Sequence, residues 1–260
     1  MNDPSPPAVA KSDAVVPISR FALIVYGICR FISVGVSRIY YPGRVIGKNQ
    51  LPTTGAYILA PVHRSYIDWL LAARVTKRRM RYIAKDELWK IRALGRFFEL
   101  LGAIPVQRGT PDRIAMHRAL EVLRAGEPLV IFPEGTRKVG PAVEDILEGA
   151  AYLALRARVP IVPLGISGAE DAMPRGAYFP RPARVAIVVG TPLGGTDLAP
   201  AQGEAEHRMT RSQTKVLANE LRETMQEVFS TAQATKLSSR LGSRGAAKRR
   251  GRKADVSISD

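Results

Sequence analysis

The chain has 260 residues, 46% hydrophobic and 24% charged, enough apolar side chain to bury a core and to exclude a wholly disordered protein. A single cysteine, Cys29, excludes an internal disulfide framework, and three scattered histidines (His63, His117, His207) argue against a transition-metal site. Lys+Arg 39 against Asp+Glu 23 gives a formal net charge of +16, which points to an anionic surface, polymer or ligand as partner.

Residues 1–17, with Pro4, Pro6, Pro7 and Pro17, read as a disordered lead-in. The apolar stretch 18–41 follows. Arg20, Arg30 and Arg38 cut it into pieces shorter than the ~18 charge-free residues of a usual membrane span, and Arg30 inside it argues against a signal peptide. At about 100° per residue, Phe21, Ala22, Val25, Ile28, Cys29, Ile32, Val36, Ile39 and Tyr40 share one face of a helix. The arginines cluster opposite, with Ser19, Ser33 and Ser37. Such a helix suits a bilayer interface, its aliphatic side among acyl chains and its arginines against phosphates, although a helix packed on a domain shows the same pattern.

From 42 to 235 strand-like and helix-like segments alternate. Ala56–Val62, Arg81–Ala84, Ala103–Val106, Leu129–Phe132, Ile161–Ile166 and Arg184–Gly190 read as short buried strands. Tyr66–Val75, Glu87–Leu101, Pro111–Ala125, Gly149–Val159 and Glu204–Ala234 read as helices. This alternation predicts an α/β domain with a mostly parallel or mixed sheet flanked by helices. Residues 236–260 read as a basic disordered tail: Lys236, Arg240, Arg244, Lys248, Arg249, Arg250, Arg252 and Lys253 occur there without an acidic residue among them.

Four segments can carry chemistry. His63 and Asp68, after the first of these strands, can touch only if the chain turns at His63 and starts a helix near Ser65 or Tyr66. A carboxylate on one ring nitrogen would fix the tautomer and leave the other free to accept a proton. The word Phe132-Pro133-Glu134-Gly135-Thr136-Arg137 makes a tight turn carrying an acceptor and a planar guanidinium fork, suited to hydroxyls and phosphate. Arg108, beside Gly109 at a strand end, suits a phosphate dianion, and Val159-Pro160-Ile161-Val162-Pro163-Leu164-Gly165 supplies only an apolar wall. Each also has a plain structural reading: a helix-capping Asp, a Glu–Arg pair on a turn, a basic strand end, a core strand.

In this order and at these separations the four segments resemble the motifs of the acylglycerophosphate acyltransferases, the lysophosphatidic acid acyltransferase-like glycerolipid enzymes. The resemblance runs from about Gly43 to Pro192, and FPEGTR is its most specific piece. It implies that His63 is a general base oriented by Asp68, and that Arg108 and Arg137 hold an acceptor phosphate in a pocket shaped by Glu134, Gly135 and Thr136. Lys85 matches a basic position near that site. Two positions depart from the family: Val62 where Asn is usual, and Glu148 where Lys is common.

The resemblance implies transfer of an acyl group from acyl-CoA or acyl carrier protein to the free hydroxyl of 1-acylglycerol-3-phosphate, with no cofactor and no metal. Another lysolipid, a glycolipid or an amino-acid lipid would serve the same chemistry. It implies a peripheral, monotopic place on the cytoplasmic membrane face, with anionic lipid as partner. A nucleic-acid-binding role is disfavoured, because the strands lack interleaved aromatic and basic residues and the charge concentrates in the tail. A membrane scaffold without activity is the remaining alternative, and the intact His63/Asp68 pair speaks against it.

Overall fold

The computed structural model describes residues 19–106, 112–174, 176–194 and 210–256. The expected lead-in, 1–17, lies outside them. Helix α1 spans Arg20–Tyr40, started by Ser19, whose hydroxyl accepts from the Ala22 N–H at 3.1 Å. Strands β1 (Gly43–Ile46), β2 (Ile58–Pro61), β3 (Arg81–Lys85), β4 (Ile104–Val106), β5 (Leu129–Val130), β6 (Ile161–Ser167) and β7 (Val185–Val189) form one sheet, in the order β1-β7-β6-β2-β5-β3-β4. Helices α2 (Asp68–Ala72), α3 (Arg92–Leu101), α4 (Arg113–Arg124), α5 (Gly149–Ala157), α6 (Ala169–Ala172) and α7 (Arg211–Val256) complete the described chain.

The sheet is mixed. Strands β4, β3, β5, β2 and β6 run parallel, β7 pairs antiparallel with β6, and β1 pairs parallel with β7. β2 and β6 are buried at every residue, as expected of central strands covered on both faces. Proline is rare in such strands because it lacks a ladder donor. Pro163 sits just before the β6–β7 pairing begins at Leu164↔Val189, and its carbonyl still accepts from Gly190 N–H at 2.9 Å.

Helix α7 crosses the sheet through buried Leu217, Leu221, Met225, Val228 and Phe229. Its backbone comes so close to β6 that a Cβ on Gly165 would lie 2.2 Å from the Val228 carbonyl oxygen. Only glycine fits there.

Several expectations are corrected. β1 has no counterpart in the sequence reading: it is a short, mostly exposed edge strand and carries no apolar alternation. The helix expected over Glu87–Leu101 divides into a 3-10 turn, Asp86–Lys90, and α3, separated by an extended Ile91. α7 runs on through Val256, so the stretch expected as a disordered tail is helical that far. Arg, Lys, Ala and Leu dominate it and are strong helix formers, and charge alone does not unfold a helix that begins on a packed core.

The orientation of α1 is also corrected. The face with Arg30, Val34 and Ser37 meets the domain, whereas Arg20 and Arg38 stay exposed: Arg30 donates to the carbonyl of Ala73 at 3.3 Å and to that of Thr76. From α2's end, buried Arg74 donates to the Tyr41 carbonyl at 2.8 Å, a cation at the helix C-terminus. Tyr26 accepts from Met80 N–H at 3.1 Å. Phe21, Ile24, Phe31, Ile32, Val36 and Ile39 are left exposed, Phe31 at 80% and Ile39 at 84%.

Candidate active site

In open α/β sheets, ligands bind beyond the carboxyl ends of the parallel strands. There the chain leaves β2 through buried Val62 and turns sharply before α2 begins at Asp68. Asp68 is fully buried, and one oxygen, Oδ2, accepts three bonds: from Arg64 N–H at 2.6 Å, from Ser65 N–H at 2.7 Å and from His63 Nδ1 at 3.0 Å. The carboxylate therefore folds the turn back onto the first residue of its own helix. This is the bend that a five-residue spacing requires.

The protonation pattern follows from the donors. An ionised carboxylate only accepts, so Nδ1 carries the ring proton and Nε2 keeps a lone pair. Burial pushes the Asp68 carboxyl above its ordinary range, while the imidazole and the two backbone N–H groups pull the other way and favour the ion. Oδ1 is buried without a partner among the described residues. The imidazole is 12% exposed and stacks on Phe132, ring centres 4.4 Å apart.

The loop after β5 holds the same turn from the other side. Gly135, at φ +66°, closes it with a bond from its N–H to the Phe132 carbonyl at 3.0 Å. Glu134 is buried and points inward: Oε1 accepts from His63 N–H at 2.8 Å, and Oε2 takes the Arg64 guanidinium at 2.6 Å. Lys138 N–H donates to the His63 carbonyl at 2.8 Å. Both backbone groups of His63 are thus gripped by one neighbouring loop.

Glu134, expected to shape the phosphate pocket, spends one bond from each oxygen on the His63–Arg64 turn and so positions His63. The residue the sequence reading missed is Arg64, which is 5% exposed, donates to the Ala142 carbonyl at 2.8 Å and lies 4.8 Å over the Phe229 ring of α7. The available signal was a lone glutamate inside an apolar strand-end word. A buried acid demands a buried cation, and Arg64 is the arginine in the facing turn.

Of the other candidates, Arg137 is half-buried, its guanidinium 3.4 Å from the centre of the Tyr66 ring, and Thr136 is exposed. Lys85 ends β3 on the same edge of the sheet, paired to Glu87 at 2.5 Å. Arg108 lies outside the described residues. Glu148 is exposed immediately before α5, where a carboxylate suits the helix dipole. Ser65 is fully buried and donates to the Met173 carbonyl at 3.0 Å, so it is not presented as a nucleophile. Among the described residues no group of His, Cys, Asp and Glu is arranged to hold a metal.

Residues 43–167 match the family model described as acyltransferase. The chain is 28% identical to a 1-acyl-sn-glycerol-3-phosphate acyltransferase of Bacillus subtilis over 159 residues, 60% of this chain and 76% of that one. It is 32% identical to the alpha enzyme of that name from Mus musculus over 160 residues, 60% of this chain and 56% of the mouse protein. The fold matches the crystal structure of the 1-acyl-sn-glycerophosphate acyltransferase PlsC from Thermotoga maritima with a TM-score of 0.57 at 21% identity, covering 79% of this chain and 83% of that one. With the His63–Asp68 turn and the FPEGTR loop at the carboxyl ends of β2 and β5, the chain matches the acyltransferase family and resembles its 1-acyl-sn-glycerol-3-phosphate acyltransferases.

Proposed function

We propose that this enzyme transfers a fatty acyl group from an acyl thioester, acyl-CoA or acyl carrier protein, to the free hydroxyl of 1-acylglycerol-3-phosphate, forming phosphatidic acid. The observation that carries this reading is the His63–Asp68 pair at 3.0 Å, with Nε2 left to accept a proton at the ligand-binding edge of the sheet. A thioester is already activated, whereas an alcohol is a poor nucleophile at neutral pH. Nε2 takes the hydroxyl proton as that oxygen attacks the thioester carbonyl carbon. The C–O bond forms, the tetrahedral adduct collapses, the C–S bond breaks, and the departing thiolate recovers the proton from the imidazolium. Asp68 stabilises the cation between the two transfers.

A positioned base supplies about 10²–10⁴-fold, so orientation of the two substrates supplies much of the rest. Arg137 and Arg108 bind the acceptor's phosphate in this reading, with Lys85 adding charge near them, and Gly135 and Thr136 shape the loop that carries Arg137. The step needs no metal and no cofactor, because the leaving group arrives activated.

The enzyme sits on the cytoplasmic membrane face, peripheral rather than spanning. α1 is long and apolar enough to cross a bilayer by length and composition, but Arg30 bonds it to the domain, and a helix so fastened lies on a membrane more readily than through it. The basic C-terminal part of α7 adds about 1 kcal/mol per cation near an anionic leaflet.

The test is thiol release from acyl-CoA. The wild type releases thiol when 1-acylglycerol-3-phosphate is added, and His63→Ala does not, with its circular dichroism unchanged. Undiminished turnover by His63→Ala removes the base from the mechanism. Turnover restricted to a phosphate-free acceptor removes the assigned acceptor.

A further inference from the structure

The connection between α6 and β7, residues 173–184, has no part in the reaction above, yet it stands beside the active-site turn. β7 is antiparallel to β6, with Ser167 opposite Ala186, so both ends of this connection lie at the carboxyl edge from which His63 emerges. Ser65 bonds the Met173 carbonyl at 3.0 Å and thereby ties the connection to the turn. Arg181 N–H closes its base on the Ala172 carbonyl at 2.7 Å. Its tip is Tyr178 and Phe179, exposed at 91% and 82%. Two adjacent aromatic rings held this far out, between Gly176 and Pro180, have little contact with the domain's own core.

Two further observations say what covers them. The segment holds Arg175, Arg181 and Arg184 and no acidic residue, with Arg181 and Arg184 exposed, so its surroundings should be anionic. β1 also runs parallel to β7 with Gly43 opposite Val185, and Val185 N–H donates to the Pro42 carbonyl at 3.1 Å. The C-terminal end of α1, where Val36, Ile39 and Tyr40 are exposed, therefore reaches the same edge as the aromatic tip. Aromatic rings prefer the boundary between acyl chains and headgroups, and cations beside them meet lipid phosphates.

We propose that residues 173–184 form a second lipid contact, with Tyr178 and Phe179 seated at the surface of an anionic bilayer so that the catalytic edge, rather than α1 alone, faces the membrane. This rests on the reading of the acceptor as a membrane lipid. Contact at this edge would let a lysolipid pass from the leaflet to Nε2 of His63 without crossing open water, which a single anchor along α1 would not ensure.

The experiment uses the full chain. Phe179→Cys in a Cys29→Ser background, labelled with an environment-sensitive nitrobenzoxadiazole probe, should shift to the blue on adding vesicles of phosphatidylethanolamine and phosphatidylglycerol, and spin-labelled lipid in them should quench it. No shift while the protein sediments with the vesicles overturns the proposal. A shift on adding acyl carrier protein alone, without vesicles, gives the tip to a protein partner and overturns it as well. Independently, Tyr178→Ser with Phe179→Ser should lower turnover of acceptor embedded in vesicles about tenfold. The same double variant should keep turnover of a short-chain acceptor below its micelle concentration within about twofold. Equal loss on both acceptors places the loop in the catalytic site and overturns the membrane role. If the wild type acylates neither acceptor, the functional reading fails, and the probe still decides this one.

Discussion

Charge is buried in the active-site turn, while hydrocarbon is left exposed along α1. His63, Arg64, Asp68 and Glu134 bring four ionisable groups together in the interior, three of them at least nine-tenths buried. α1 turns Arg30 inward onto backbone carbonyls and its phenylalanines and isoleucines outward. α7 follows the usual rule, with Leu217, Leu221 and Phe229 packed on the sheet. Each exception has its own rationale. Burying paired charge costs desolvation and returns a fixed geometry at the His63 ring, while exposing apolar surface is tolerable only where another apolar phase covers it.

The contrast can be broken most forcefully at Asp68. Asp68→Asn keeps the shape but presents an amide N–H or the wrong acceptor pattern to Nδ1, so turnover should fall by about 10²–10⁴-fold with the fold retained. A loss under tenfold in a thiol-release assay would mean that the carboxylate does not set the tautomer. Next comes the buried Arg64–Glu134 pair. Glu134→Ala strands the guanidinium and should cost about 3–5 kcal/mol in urea unfolding, whereas the double replacement Arg64→Met/Glu134→Gln should recover most of it. An unrecovered loss would show that the bond from His63 N–H, not the ion pair, carries the stability.

The exposed side should behave in the opposite way. Phe31→Ser with Ile39→Ser should change unfolding free energy by no more than about 0.5 kcal/mol, while Phe229→Ala on α7 should cost about 3–5 kcal/mol. The same α1 double variant should lower partitioning onto anionic vesicles about tenfold in sedimentation. Unaltered partitioning would transfer the anchoring role to the basic end of α7.

The smallest effect concerns pH. Burial raises the native pKa of Asp68 above its ordinary value of 3.8, so over the interval between the two the native chain binds more protons than the unfolded one. Stability from this group falls as pH rises through that interval. Wild type should therefore lose ground to Asp68→Asn in urea midpoints as pH climbs from 3.8. A difference independent of pH would show that the hydrogen bonds fully offset burial.

The sequence disclosed the alternation of strands and helices because central strands such as β6 are continuous apolar runs. It concealed β1, whose pairing with β7 depends on tertiary placement and not on its own pattern. His63 and Asp68 were legible because a fixed spacing and one bend suffice to join them. Arg64 was not, since its partner Glu134 is seventy positions away and a pair between distant loops leaves no periodicity. The inward turn of Arg30 was hidden for the same reason: amphipathic patterning defines two faces of a helix without saying which one meets protein.

Glu134 and Lys138 hold the backbone of His63 on both sides, from the stretch that also carries Arg137. The loop that carries Arg137 and the turn that carries His63 are thus a single mechanical unit. A substitution that reshapes the first displaces the second.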